Sequence, residues 1–343
     1  MGVKIKDLLE IEKITFSELK GKIVTVDAAN TIYQFLSIIQ PTTGLPLMDD
    51  KKRITSHLSG IFYRNINLIE KNIKPIYVFD GKPPKLKGRT IKERRAGRED
   101  AYKQWKTAIE EGDIEAARKY GQAAHRMTSE IVAESKKLLT AMGIPIVQAP
   151  SEGEAQASFM IGKDNIWAVA SQDFDSILFG APRVIRNLSL SERRRIPRTN
   201  QYIRVEPELI NSSETFQNLK ISREQLIDIG ILVGTDFNMG IKGVGAKTAL
   251  KLILKYKDLK TVIKEKAFEF DRTEEELEEI RNFFLQPHVH RDYKIEFKKH
   301  DPHLIKTILI NEHQFSSDRV NKGLKRIEKV RAVKQQRSLD KWF

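Results

Sequence analysis

The sequence predicts an α/β fold, a mostly parallel, twisted sheet flanked by helices, and three observations predict it. Short apolar runs that read as buried strands end on or run into aspartate: Ile23-Val24-Thr25-Val26-Asp27, Ile76-Tyr77-Val78-Phe79-Asp80, and Ile166-Trp167-Ala168-Val169-Ala170 before Ser171-Gln172-Asp173-Phe174-Asp175. Helical patterns separate them, at 58–71 before the second and 128–142 before the third. At 343 residues and 40% hydrophobic, the chain can bury a real core as one large domain or two intimate ones. Strands alternating with helices share one carboxyl edge, so Asp27, Asp80, Asp173 and Asp175 can converge there.

The N-terminus, Met1 to Asp7, lacks the apolar core of a signal peptide, and no apolar run approaches the roughly 20 residues a membrane span needs. With no cysteine, disulfides, thiolate zinc sites and cysteine nucleophiles are excluded. An intracellular protein is expected. The net charge of +14 points to a polyanionic partner.

After the second strand the chain turns basic. Lys82, Lys85, Lys87, Arg89, Lys92, Arg94, Arg95 and Arg98 face one acid, Glu93. Pro83-Pro84 blocks helix at the start; from Thr90 to about Glu111 the pattern is helical, and 112–122 reads as a second helix. Lacking a strong apolar stripe, the two helices should protrude over the acidic edge. Lys87 and Arg94, seven apart, can face the same way. A solvated basic face is the alternative; phosphate contact is favoured by the acids next door.

Ser151-Glu152-Gly153-Glu154 supplies a second acid pair. Taken alone it fits a capping box, with Ser151 as N-cap, as well as it fits a ligand pair, and Asp173-Phe174-Asp175 alone fits a polar turn. Recurrence favours a site. Acids gathered at one edge repel one another, and a divalent cation removes that cost. A further helix from Ser222 ends near Gly234-Thr235-Asp236, adding another acid. Gly240-Ile241-Lys242-Gly243-Val244-Gly245-Ala246-Lys247 then has the form of a helix-hairpin-helix turn, whose backbone N–H groups suit a phosphate. A tight turn without a ligand is its alternative.

Thr273 to Glu279 reads as a capped, solvated helix face, and His288 and His290 have no third ligand in view for zinc. Phe and Leu residues between 297 and 327 read as core. From Lys322 the tail is basic and thin in apolar residues, so loose order is expected. It closes on Gln336-Arg337-Ser338-Leu339-Asp340-Lys341-Trp342-Phe343, where Leu339, Trp342 and Phe343 suit a hydrophobic pocket on a partner.

Together these residues resemble the flap endonuclease family of structure-specific 5′ nucleases, above all its archaeal members, over nearly the whole chain. The matching motifs are Val-Asp-Ala at Asp27, Val-Phe-Asp-Gly-Lys-Pro-Pro at Asp80, Pro-Ser-Glu-Gly-Glu-Ala at Glu152 and Glu154, Ser-Gln-Asp-Phe-Asp at Asp173 and Asp175, and Gly-Thr-Asp-Phe-Asn at Asp236. The resemblance implies that these seven acids bind metal and that Lys87 and Arg94 reach the scissile phosphate from a basic arch. It implies DNA contacts for Gly2, for Tyr33 (by stacking on a base), for Lys82, Lys85 and Arg95, and for Gly240, Lys242, Gly243, Gly245 and Lys247, with a potassium ion at the hairpin. Gln336, Leu339, Trp342 and Phe343 match a sliding-clamp-binding box. Phe237-Asn238-Met239-Gly240 is a residue shorter than in many archaeal relatives.

Carboxylates without His or Cys select Mg²⁺, with Mn²⁺ able to substitute, over zinc. Two ions are expected on Asp80, Glu152, Glu154, Asp173 and Asp175, with Asp27 and Asp236 touching them or one layer behind. The implied activity is two-metal-ion hydrolysis that removes 5′ flaps from branched DNA in replication and repair, with 5′-3′ exonuclease activity, by a monomer in the cytoplasm near the nucleoid. A sister exonuclease or junction resolvase would share every acid. A non-catalytic clamp-associated DNA binder would leave the acids unexplained, and a Mg²⁺-dependent phosphatase would have no use for the hairpin. The expected layout is a nuclease region at 1–98 with the arch starting at 82, a helical arch at 99–130, an internal nuclease region at 131–258 with the hairpin element at 228–258, a helical region at 259–330 and a flexible tail at 331–343.

Overall fold

The structure, a computed structural model, describes every residue except 1, 40–45, 125, 189–192, 196–200, 267 and 340–343, and describes 193–195, 202–204 and 331–339 by backbone alone. The strands are β1 (Glu12–Lys13), β2 (Ile23–Asp27), β3 (Lys74–Phe79), β4 (Ile146–Gln148), β5 (Ile166–Ala170), β6 (Arg183–Arg186), β7 (Arg193–Arg195), β8 (Tyr202–Arg204) and β9 (Glu208–Asn211). Seven of them form one sheet in the order β1-β9-β6-β5-β2-β3-β4, while β7 and β8 pair separately.

The expected parallel ladders form through the middle: β4, β3, β2, β5 and β6 are parallel neighbours. β9 and β1 finish one edge antiparallel. From central β2 the chain winds outward to β3 and β4, then returns to the other side of β2 for β5 and β6. Winding reverses between β2 and β5, so the loops leaving their carboxyl ends diverge and open a cleft. Asp27 ends β2, Asp80 follows β3, and Asp173 and Asp175 follow β5.

Helices cover both faces. On one lie α1 (Ala28–Ile38), α2 (Ser56–Glu70), and later α5 (Ser129–Ala141), α13 (Pro302–Lys306) and α14 (Ser317–Leu339). On the other lie α6 (Gly153–Met160), α7 (Asp175–Leu178), α8 (Ser212–Leu219), α9 (Arg223–Val233), α10 (Ala246–Tyr256), α11 (Leu259–Glu265) and α12 (Glu274–Leu285). Strand residues alternate between the layers. On β3, Ile76 and Val78 join one core while Tyr77 and Phe79 join the other.

Between β3 and α5 stands a helical hairpin, α3 (Gly88–Glu110) and α4 (Ile114–Ala124). Its fully buried residues are small: Ala101 and Ala108 on α3, Ala117 and Gly121 on α4. These let the two helices approach each other, but α3 has almost nothing large to bury in the main core, so the hairpin stands out from the sheet. α3 begins at Gly88, earlier than the pattern from Thr90 suggested, and runs unbroken through 98, so the boundary expected there falls inside one helix.

The C-terminus departs from expectation. α14 carries helical backbone to Leu339, through the expected boundary at 330 and into the stretch read as loose. Through Ile327 the reason is tertiary. Val320, Leu324 and Ile327 are buried in the core, and Gly323 lies so close to Phe62 on α2 that a Cβ would come within 2.7 Å of its ring. Of the expected clamp-binding residues, Gln336 and Leu339 are described by helical backbone alone, and Trp342 and Phe343 lie outside the described residues. Phe297, read as core, is instead 41% exposed beneath the Lys74 ammonium, on an irregular segment outside both layers. No helix among the described residues is long and apolar enough to cross a membrane.

Candidate active site

All seven acids arrive at the carboxyl edge, each by a different local device. Asp27 is the N-cap of α1, its Oδ1 accepting from the Asn30 backbone N–H at 3.1 Å. Asp80 Oδ1 accepts from the Gly153 N–H at 2.6 Å, tying β3 to the start of α6. Glu152 is the N-cap of α6 but makes no side-chain cap bond, and no capping box forms from Ser151 and Glu154. Glu154 Oε1 instead accepts from Ser171 Oγ at 2.7 Å and Ser176 Oγ at 3.0 Å, across the sheet edge. Asp173 Oδ2 accepts from Asn30 Nδ2 at 3.0 Å, and Asp175 Oδ1 from the Val3 N–H at 2.7 Å. Asp236 follows α9 and is nine-tenths buried.

The acids repel one another. Burial, with the charges of Asp80 and Asp173, raises Asp27 to about 8. Burial and Asp236 raise Asp175 to about 7. Glu154 is held well above its usual range by burial and by Asp175, Asp27 and Asp173. Each perturbation names another member, so the group is one electrostatic unit. Among the described residues no three His, Cys, Asp or Glu are drawn into a closed ligand cluster. Side-chain cations reach in among the acids.

Those cations come from the root of the hairpin. Lys87 Nζ lies 2.7 Å from Glu152 and 3.4 Å from Asp236. Burial alone would lower its proton affinity, but Glu152, Asp236 and Asp80 reverse that and keep it charged. Arg94 Nη2 pairs with Asp236 Oδ1 at 2.5 Å, and Thr90 Oγ1 donates to the Asp236 carbonyl at 2.6 Å. Two cations against seven acids leave the cleft acid-rich. The donor set is all hard oxygen, which fits a hard divalent cation.

Gly2 sits against this group. A Cβ there would come within 2.8 Å of Asp173 Cβ and Asp175 Oδ1, so only glycine lets the N-terminus pass. Tyr33 is 39% exposed on α1. Lys82, Lys85 and Arg95 are exposed, with Arg95 paired to Glu99 at 3.0 Å. After Asp236 the short segment closes a tight turn: the Thr235 N–H donates to the Asn238 carbonyl at 3.0 Å, and Asn238 Nδ2 donates to the Ile231 carbonyl at 2.7 Å. The expected hairpin joins α9 to α10. Gly240 and Gly243 have φ of +73° and +83°, and Gly243 and Gly245 border open space with Lys242 and Lys247 exposed beside them. Gly245 caps α10 without a side-chain acceptor, leaving its first N–H groups without a side-chain cap. His290 is bracketed by fully buried Gln156, which bonds both its N–H and its carbonyl.

Sequence reading missed Asn30, Ser171 and Ser176, which hold Asp173 and Glu154. Ser171 was visible inside its motif, but nothing local aims its hydroxyl at a glutamate 17 residues earlier.

Fold and site together define a class: an α/β protein with an acid-lined cleft at the switch point of its sheet, overhung by a basic helical hairpin. Comparison with known proteins agrees. Residues 1–101 match the XPG N-terminal domain and residues 143–236 the XPG I-region. The chain is 48% identical to flap endonuclease 1 of Staphylothermus marinus, with 100% of both chains covered, and 49% identical to that of Pyrococcus abyssi, with 100% of this chain and 98% of that one covered. A solved structure of flap endonuclease-1 from Methanococcus jannaschii superposes with a TM-score of 0.75 at 42% identity, covering 97% of this chain and 100% of that one. The chain belongs to the flap endonuclease family.

Proposed function

We propose that this chain is a structure-specific nuclease that cuts 5′ flaps from branched DNA with divalent metal ions, Mg²⁺ first and Mn²⁺ as a substitute. The observation that carries the reading is the group of mutually repelling acids, paired with Lys87 and Arg94 from the hairpin root. Family membership supports the DNA substrate.

Asp80, Glu152, Glu154, Asp173 and Asp175 would hold two ions, with Asp27 and Asp236 beside them. Bound there, the ions supply Lewis acidity toward the phosphate and lower the pKa of an attacking water. Ser171 and Ser176 orient Glu154, and Asn30 orients Asp173, so the carboxylates keep their places when charged. Lys87 and Arg94, paired here with Glu152 and Asp236, would offer positive charge to the phosphate oxygens. Tyr33, Lys82, Lys85, Arg95 and Gly2 would contact DNA near the cut. The hairpin at 240–247 would hold duplex through its N–H groups, with or without a potassium ion.

End-labelled double-flap DNA tests the reading. Cutting near the flap base with Mg²⁺, none with EDTA and none in Asp173→Ala is expected; a flap bound but left intact with metal present overturns it in favour of a DNA-binding role. The tail residues Gln336, Leu339, Trp342 and Phe343 would dock on a sliding clamp. Deleting 336–343 should abolish clamp binding while leaving clamp-free cleavage intact, and retained clamp binding would refute that role.

A further inference from the structure

Asp271 and Arg272, in the turn that enters α12, each reach the same two distant segments. Asp271 Oδ1 accepts from the Met239 N–H at 3.0 Å, and its Oδ2 pairs with Arg89 Nη1 at 3.2 Å. Arg272 donates from Nε to the Phe237 carbonyl at 3.2 Å and from Nη2 to the Leu86 carbonyl at 3.3 Å. Glu276 Oε1 steadies its third nitrogen at 3.1 Å. Each residue therefore makes one bond to the loop after Asp236 and one to the root of the helical hairpin. Arg89 closes the triangle with a 3.3 Å contact from Nη2 to Met239 Sδ.

Apolar packing holds Leu86 and Phe237 on the two sides of this junction but leaves a gap beyond them. A cavity of about 360 Å³ lies between Arg89, Thr90 and Arg94 on one side and residues 233–239 on the other. Polar bonds span the gap: Thr90 and Arg94 reach Asp236 directly, and Asp271 and Arg272, with side chains 13% and 14% exposed, each reach both sides. Lys87 and Arg94 lie on the clasped root, and Asp236 begins the clasped loop. A slip of about 1 Å would carry their contacts out of hydrogen-bond range.

We propose that Asp271 and Arg272 form a positioning clasp, which fixes the root of α3 against the loop after Asp236 and so sets where Lys87 and Arg94 stand over the acids. Its effect on cleavage rests on the nuclease reading above; its geometry does not.

The absence of cysteine allows a direct test. Gln104→Cys on α3 and Lys260→Cys on α11, both exposed positions, are spin-labelled and their distance distribution is measured without DNA or metal. Asp271→Ala and Arg272→Ala should each broaden that distribution while moving Tm by no more than about 4 °C. An unchanged distribution in both overturns the clasp, as does broadening that appears only with global unfolding. On a flap substrate, kcat should fall on the order of 100-fold in each variant with KM changed less than about threefold. Asp271→Asn, which keeps an acceptor for Met239 but loses the charge facing Arg89, should fall between. A change in KM alone would overturn the positioning role. If the parent protein cuts no flap, the nuclease reading fails, and the distance measurement still decides the clasp.

Discussion

Asp27 carries two duties that oppose each other. Its carboxylate caps α1, which stabilises the fold, and it places charge against Asp80 and Asp173, which destabilises it. Raised from 3.8 to about 8, it binds a proton in the folded, metal-free chain that the unfolded chain releases, so stability declines as pH climbs through that window. Asparagine caps a helix as well as aspartate does. Asp27→Asn should therefore raise Tm in EDTA at pH 8 and lower cleavage with Mg²⁺, measured by calorimetry and flap assay. A lower Tm in EDTA would show that the repulsion is relieved some other way. The acid itself was legible because a strand ended on it. The second role of its partner Asn30 was not, since the Asn30 side chain reaches across 143 residues to Asp173.

Among the elements, the α9–α10 hairpin was read most completely from sequence. Its glycines mark positive φ and close approach, properties of the local backbone that composition exposes directly. If it grips duplex DNA, Lys242→Glu with Lys247→Glu should weaken binding and flatten the salt dependence of log K by roughly 2. Fluorescence anisotropy across a salt series measures this, and an unchanged slope would reduce the hairpin to a turn. The α3–α4 hairpin was legible as two protruding helices, yet its boundary was not. Basic residues look alike whether they belong to a loop or a helix, and only the backbone shows one helix from Gly88 to Glu110.

Across the whole molecule, a polar chain ties the C-terminal region to α2, α5 and the loop before α2. His57 Nε2 meets Glu134 Oε2 at 3.0 Å, His313 Nε2 meets Glu134 Oε1 at 3.2 Å, and His313 Nδ1 meets Asp49 at 3.1 Å. Burial would raise Glu134, but hydrogen bonds from His313 and His57 outweigh it and bring it down to about 2. A depressed carboxylate contributes stability above its ordinary 4.5 and loses it as pH falls toward 2. Burial also lowers His57, so the unfolded chain takes up its proton first and acid again favours unfolding. Tm should fall steeply below pH 4.5 in the parent protein and less steeply in Glu134→Gln. Parallel pH profiles would show that the chain of histidines carries no such linkage.

The sequence by itself determined the fold class, the seven acids and the basic hairpin, because strand period, helix period and the residues at strand ends are local properties of the chain. Tertiary structure decided which acids Lys87 and Arg94 touch, which serines aim Glu154, how far α14 runs, and that Asp271 and Arg272 join the hairpin root to the loop after Asp236. Those outcomes depend on strand register, on the switch between β2 and β5, and on contacts as far apart as the 186 residues between Leu86 and Arg272. Local pattern carries no record of which distant groups the folded chain will bring within 3 Å.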